Sequence, residues 1–232
     1  MKNIQVCKSC GTENPLYVSS CKKCNTILRD KIANIDFWSE IGRLIENPSS
    51  AFKTIIQSEH KNFVMTIILF VVAKFSIDST FFSMLLSKAT YTDFSIFSNV
   101  IFLITFLLAI LFSYSFLIKI ITQNSSAKTR LKDNLAVLVY SLIPHAFALC
   151  IIFPIEVAVF GGNVFSTNPS PFLLKPTLAY IFSGFEILVF VWSIFLASEG
   201  LYSQTRSKLF GFGTGVIFNI IILCGLYVLS LI

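Results

Sequence analysis

Apolar residues gather into five long runs along this chain, approximately Asn62 to Leu86, Phe97 to Thr122, Leu135 to Phe160, Thr177 to Leu201 and Lys208 to Ile232. Short connectors bearing Lys, Arg, Pro, Gly or Ser part them. Each run of about 25 residues is too long for a strand and matches the roughly 20 residues that cross a bilayer as a helix. The pattern predicts an all-α integral membrane bundle of five transmembrane helices. The first 36 residues hold polar and charged positions throughout and lack the apolar segment of a cleavable signal peptide.

The period changes between the polar N-terminus and the first run. Phe37, Trp38, Ile41, Leu44 and Ile45 fall on one helical face, with Ser39, Glu40, Arg43 and Glu46 elsewhere, which predicts an interfacial helix at the inner leaflet. Asn47 and Pro48 read as an N-cap followed by Pro at the first helical position. They start a second short helix whose apolar face is Ala51, Phe52, Ile55 and Ile56. The chain thus divides into 1–30, a small module; 31–61, an interfacial linker; and 62–232, the transmembrane domain.

Composition agrees, with 55% hydrophobic and 13% charged residues and 25 Phe. The net charge of +6 becomes informative through its placement. Lys2, Lys8, Lys22, Lys23, Arg29, Lys31, Arg43, Lys53 and Lys61 precede the first run, Lys119, Lys128, Arg130 and Lys132 fall in one connector, and Arg206 and Lys208 in another; the other side receives Lys88 and Lys175. Retention of Lys and Arg on the inner side predicts a cytoplasmic N-terminus and an outer C-terminus in the cell membrane, plasma or inner. The charge is therefore a topology signal rather than a nucleic-acid footprint.

Four of the six cysteines form Cys7-Lys-Ser-Cys10 and Cys21-Lys-Lys-Cys24. Two such knuckles supply the tetrahedral thiolate set of a closed structural zinc site, here in a minimal ribbon of two short hairpins. About 30 residues bury too little core to fold unaided, so the metal would supply the folding free energy. Disulfides are disfavoured in a reducing compartment, whereas iron, which accepts the same four sulfurs, stays open. Cys150 and Cys224 lie in apolar runs and read as small packing residues. A docking role toward a protein partner is expected of the ribbon, and nucleic acid is not the favoured partner.

Three segments carry a family resemblance. The run from Trp38 through Asn47-Pro48 to Phe52 resembles the entry of the Yip (Ypt/Rab-interacting) membrane domain, and Lys132 through Tyr140-Ser-Leu-Ile-Pro144 resembles its polar loop leading into a Tyr-Ser-Leu-x-Pro helix. Trp192 through Glu199-Gly200-Leu201 resembles the end of its fourth span. The resemblance covers roughly residues 37 to 230. It implies a five-span membrane protein acting in membrane organisation or trafficking. The acidic, aromatic N-terminal extension of eukaryotic members is missing and a zinc ribbon stands in its place, which resembles the prokaryotic members.

Within the runs, Lys74 and Asp78 share a helix face and Glu186 lies in the fourth run. At ~1.5 Å per residue they fall roughly 12 to 18 Å from the outer ends of their spans, so a Lys74-centred charge cluster is expected. It fixes helix registry or lines an ion or solute route. His145 after Pro144 marks a kink. Glu156 and Glu199 near run ends read as solvated, and Gly211 with Gly215, next to Gly213, predicts close helix packing. An oligomer stays open. No HExxH, GxSxG, Walker or EF-hand pattern occurs, so an enzyme is not expected. The favoured reading is a Yip-like scaffold or adaptor. A transporter component using Lys74, Asp78 and Glu186, and a membrane-tethered nucleic-acid binder, are its rivals.

Overall fold

The computed structural model describes residues 3–86, 96–125, 127–166 and 168–230, with side chains described except at 80–86 and 96–99. Lys88, part of the charge count, lies outside the described residues. The chain opens with two short antiparallel strands, β1 (Ile4–Val6) and β2 (Glu13–Pro15), in the register Ile4 to Pro15 and Val6 to Glu13. The second hairpin is reduced to a single bridge between Ser20 and Ile27. Residues 32–33 then pair with 58–60, through Ile32 O with Glu59 N at 2.8 Å and Ala33 O with His60 N at 3.0 Å. The linker is thereby held along the chain just beyond the second short helix.

Two ten-residue helices follow, α1 (Phe37–Glu46) and α2 (Pro48–Gln57). Asn47 caps α2 by accepting from Ser50 N at 3.2 Å, and Pro48 takes the first position, where its missing N–H costs nothing. Ala51, Phe52, Ile55 and Ile56 are buried on α2. On α1 the expected face is split. Ile41 and Leu44 are buried, but Trp38 is 77% and Ile45 58% exposed, and Glu40, assigned to the polar side, is buried. Glu40 turns inward because Arg43 bonds it at 2.8 Å, which leaves the indole free to point outward.

The remaining helices are α3 (Val64–Leu86), α4 (Ile96–Gln123), α5 (Leu131–Ser141) with its continuations α6 (Ile143–Phe147) and α7 (Phe153–Phe160), then the single turn α8 (Pro171–Leu174), α9 (Pro176–Thr205) and α10 (Lys208–Leu229). A π-helical turn, Ala148–Ile152, joins α6 to α7, and a 3-10 turn, Gly161–Phe165, follows α7. Pro144 and Pro154 flank the π turn. Each lacks an N–H and breaks the regular ladder, so the backbone between them widens by one residue per turn.

Among the described residues four helices are long and apolar enough to cross a membrane, 100–123, 131–165, 176–205 and 208–229, not the five expected. The one left out is α3, whose middle carries Lys74 and Asp78 and whose side chains are described only as far as Ser79. Apolar side chains such as Met65, Leu69, Ile101, Phe116 and Ile187 point outward, which is the surface a lipid environment covers. Cys150 and Cys224 are on this exposed surface too, so they are not the packing residues expected of them.

The contacts divide the chain into two compact units. One comprises 1–65, 110–141 and 194–217; the other comprises 66–109, 142–193 and 218–232. In the first, a Cβ on Gly200 would lie 2.6 Å from Val137 Cγ1 and 3.1 Å from Phe52, so α9, α5 and α2 meet there without a side chain to separate them. Tyr140, fully buried, donates to Asn62 O at 2.6 Å. Gly211 and Gly215 of α10 press on the backbone of α9 in the same way. A Cβ there would meet Ser198 O at 2.7 Å and Ser198 N at 2.9 Å, whereas Gly213 faces open space. In the second unit Gly225 lies against Phe106 and Trp192 stacks on Phe147 at 6.3 Å.

Candidate metal centre and charge clusters

The knuckles are built alike, residue for residue. In Cys7-x-x-Cys10-Gly11-Thr12, Gly11 N bonds Cys7 O at 2.9 Å and Cys7 N bonds Thr12 O at 3.0 Å. In Cys21-x-x-Cys24-Asn25-Thr26 the matching bonds are 3.0 and 2.9 Å. The turn needs a positive φ at its fifth position, met by Gly11 at 68° and Asn25 at 56°, two of the residues that reach this region most readily. The threonine hydroxyls then approach the outer sulfurs, Thr12 to Cys10 at 3.2 Å and Thr26 to Cys24 at 3.1 Å.

All four sulfurs lie within 4.8 Å of one another, with Cys7 to Cys24 and Cys10 to Cys21 each 3.5 Å apart. Sulfurs tetrahedrally bound at ~2.3 Å sit about 3.8 Å from each other, so the set fits one metal ion. The same spacing is far too long for an S–S bond of about 2.05 Å, and the six cysteines are free. Backbone N–H groups of Cys24 and then Lys23 hold the Cys21 thiol down at about 6, and Thr26 lowers Cys24. These bonds favour thiolate, the form a metal requires, at Cys21 and Cys24. Asn14, fully buried, ties the knuckles together by donating to Thr12 O at 2.9 Å and accepting from Lys22 N at 3.0 Å.

The ribbon is fastened to the helices of its unit. Asn3 Nδ2 donates to the carbonyls of Ser203 and Gln204, each at 2.8 Å, near the end of α9. Arg130 stacks over the Tyr17 ring at 4.3 Å, and Arg29 donates at 3.0 Å both to Tyr17 O and to Gln57 O, the last residue of α2. Lys61 closes the same helix end by donating to the carbonyls of Ile55, Ile56 and Ser58. It pairs with Asp133 at 2.9 Å, and Asp133 also takes Arg130 Nε at 2.7 Å. Three cations on the carbonyl end of one helix, with one buried carboxylate among them, form an electrostatic clamp. Burial lowers the Lys61 ammonium from its ordinary value and Asp133 offsets part of this. Glu199, expected in solvent, accepts from Ser49 Oγ at 2.6 Å on the first turn of α2.

In the second unit Lys74 Nζ lies 2.5 Å from Asp78 Oδ1 and 2.8 Å from Glu186 Oε1, with the lysine side chain only 2% exposed. Glu156, also expected in solvent, lines the same cavity as these three. His145 is fully buried, edge-on to Phe75 and Phe190 at 4.9 and 4.6 Å, and neither ring nitrogen has a hydrogen-bond partner among the described residues.

Several of these residues were passed over in the sequence. The repeated Cys-x-x-Cys-Gly/Asn-Thr was visible there as a signal. The clamp was not, because Arg29, Lys61 and Arg130 were legible only as topology charges.

Residues 42–232 match the family described as the Yip1 domain. No curated protein and no solved structure matches the chain. The match takes in α2 with its Asn47-Pro48 start and Phe52, the Tyr140 and Pro144 helix, and the Trp192 helix, and leaves the four-cysteine ribbon ahead of it. The chain belongs to the Yip1 domain family.

Proposed function

We propose that this protein is a non-enzymatic scaffold or adaptor of the cell membrane whose cytoplasmic face is extended by a zinc ribbon that receives a protein partner. The observation that carries the reading is the fastening of the ribbon through Asn3, Tyr17, Arg29 and Arg130. A module bonded to the helices at these points is a fixed surface and not a tethered knob. Zinc is the ion proposed. It supplies structure without redox chemistry, and Cys7, Cys10, Cys21 and Cys24 would hold it.

The unit containing the ribbon also contains Lys119, Lys128, Arg130, Lys132, Arg206 and Lys208. That grouping supports a cytoplasmic N-terminus. With α3, 23 residues and about 34 Å long at 1.5 Å per residue, as a further span, the bundle would have five and the C-terminus would lie outside.

Photo-crosslinkers at the exposed Lys8 and Lys23 in intact membranes test the reading. A defined protein adduct is expected at these sites, absent when the crosslinker sits at the outward-facing Leu69 and lost on Cys7→Ser. Adducts indifferent to the cysteine substitution would contradict the ribbon as docking surface. The cavity around Lys74 favours one rival, transport; proteoliposome flux abolished by Lys74→Ala in a folded protein would replace the scaffold reading.

A further inference from the structure

Lys74, Asp78, Glu156 and Glu186 line one cavity of about 40 Å³, walled by Ile77, Phe160, Phe182 and other apolar side chains. That volume holds roughly three waters at 10 to 15 Å³ each, too little for an organic solute. Among the described residues the charges do not balance, since three carboxyls face one ammonium. Lys74 engages one oxygen of Asp78 and one of Glu186, while Asp78 Oδ2 and Glu186 Oε2 are buried without a hydrogen-bond partner among the described residues. Asp78 is more than nine-tenths buried. A buried carboxylate oxygen without a donor is costly, and an uncompensated negative charge in such surroundings more so.

We propose that this cavity is a binding site for a small monovalent cation, a proton or an alkali ion, received by the free oxygens of Asp78 and Glu186 with Glu156 as the third carboxyl. The proposal goes beyond the scaffold reading and does not depend on it. The groups facing the site come from three helices: Lys74 and Asp78 from α3, Glu156 from α7 and Glu186 from α9. His145 of α6 stands behind Phe75 and is not among the lining residues, and Lys175 donates outside it to Val159 O at 3.0 Å. Neither supplies the missing positive charge. Glu156 makes no ion pair with Lys74 within the distance that defines the other two, so Glu156→Gln removes a carboxyl while leaving both Lys74 pairs intact.

The test uses the full chain in lipid nanodiscs. Infrared difference spectra between neutral and alkaline pH read protonated carboxyl groups, and unfolding temperature in sodium or potassium chloride against choline chloride reads alkali-ion binding. A protonated-carboxyl band at pH 7 that shrinks in Glu156→Gln and in Glu186→Gln identifies the proton as occupant. No such band, together with stabilisation by sodium or potassium that Glu156→Gln abolishes, identifies an alkali ion. Neither response in the folded wild-type protein overturns the proposal. If Glu186→Gln does not fold, Glu156→Gln alone decides between these outcomes.

Discussion

Asp133 is 1% exposed in its side chain and holds two cations, Lys61 and Arg130, that also reach the carbonyl end of α2. Removing it leaves both without their counter-charge, so Asp133→Ala is expected to cost about 3 to 5 kcal/mol. Lys61→Ala leaves Arg130 on the carboxylate and is expected to cost less, about 1 to 3 kcal/mol. Thermal unfolding in detergent checks the order, and equal losses would mean that the three residues do not act as drawn. Glu40 offers a pH-dependent counterpart. Burial raises its carboxyl above the ordinary value despite Arg43, so the folded state binds the proton more tightly than the unfolded chain. Stability should therefore fall as pH rises from the unfolded toward the folded value and be regained on acidification. Glu40→Gln is expected to flatten that segment of the stability profile. At this scale the four cysteines of the candidate metal centre were legible because Cys-x-x-Cys is a local pattern. Asn3 and the pairing of Lys61 with Asp133 were not, because their bonds join residues far apart in sequence, as with Asn3 and Ser203.

Among elements, the contact of α9 with α10 gives the sharpest contrast. Alanine normally improves a helix over glycine by ~1 kcal/mol. At Gly211 and Gly215 the added methyl would press on the α9 backbone, so Gly211→Ala and Gly215→Ala are expected to destabilise by about 1 to 3 kcal/mol. Gly213→Ala, facing open space, is expected to be neutral or stabilising. The small-xxx-small spacing was readable in the sequence, but which glycine of the three is idle was not, since that depends on the rotation of α10 against its neighbour. The face of α1 shows the same limit. Hydrophobic spacing placed Trp38 with Ile41, and the inward turn of Glu40 onto Arg43 put the indole on the exposed side instead. Span counting succeeded wherever apolar runs were uninterrupted. At α3 the side chains are described only as far as Ser79, which leaves that span to the proposal above.

For the whole molecule, two levels of organisation differ in how far they could be read. Membrane class and family were accessible, because long apolar runs and the ordered motifs at Asn47-Pro48, Tyr140 and Trp192 are properties of the chain itself. The seating of the ribbon on the helices was not, because it depends on a cation over the Tyr17 ring and on carbonyls at 203 and 204 that carry no side-chain signature. Seating would also couple a bound metal to the rest of the unit: without an ion the knuckles would lose their shared centre, and with it the frame that aims Asn3 and Tyr17. Zinc analysis with hydrogen exchange on the full chain, before and after chelation, tests this coupling most directly. The expected result is one zinc per chain, with chelation raising exchange across residues 3–31 and at the contact segments 56–60 and 203–206. Full protection of those segments in metal-free protein, or no bound metal at all in the purified chain, would contradict a metal-held ribbon seated on the Yip1 domain.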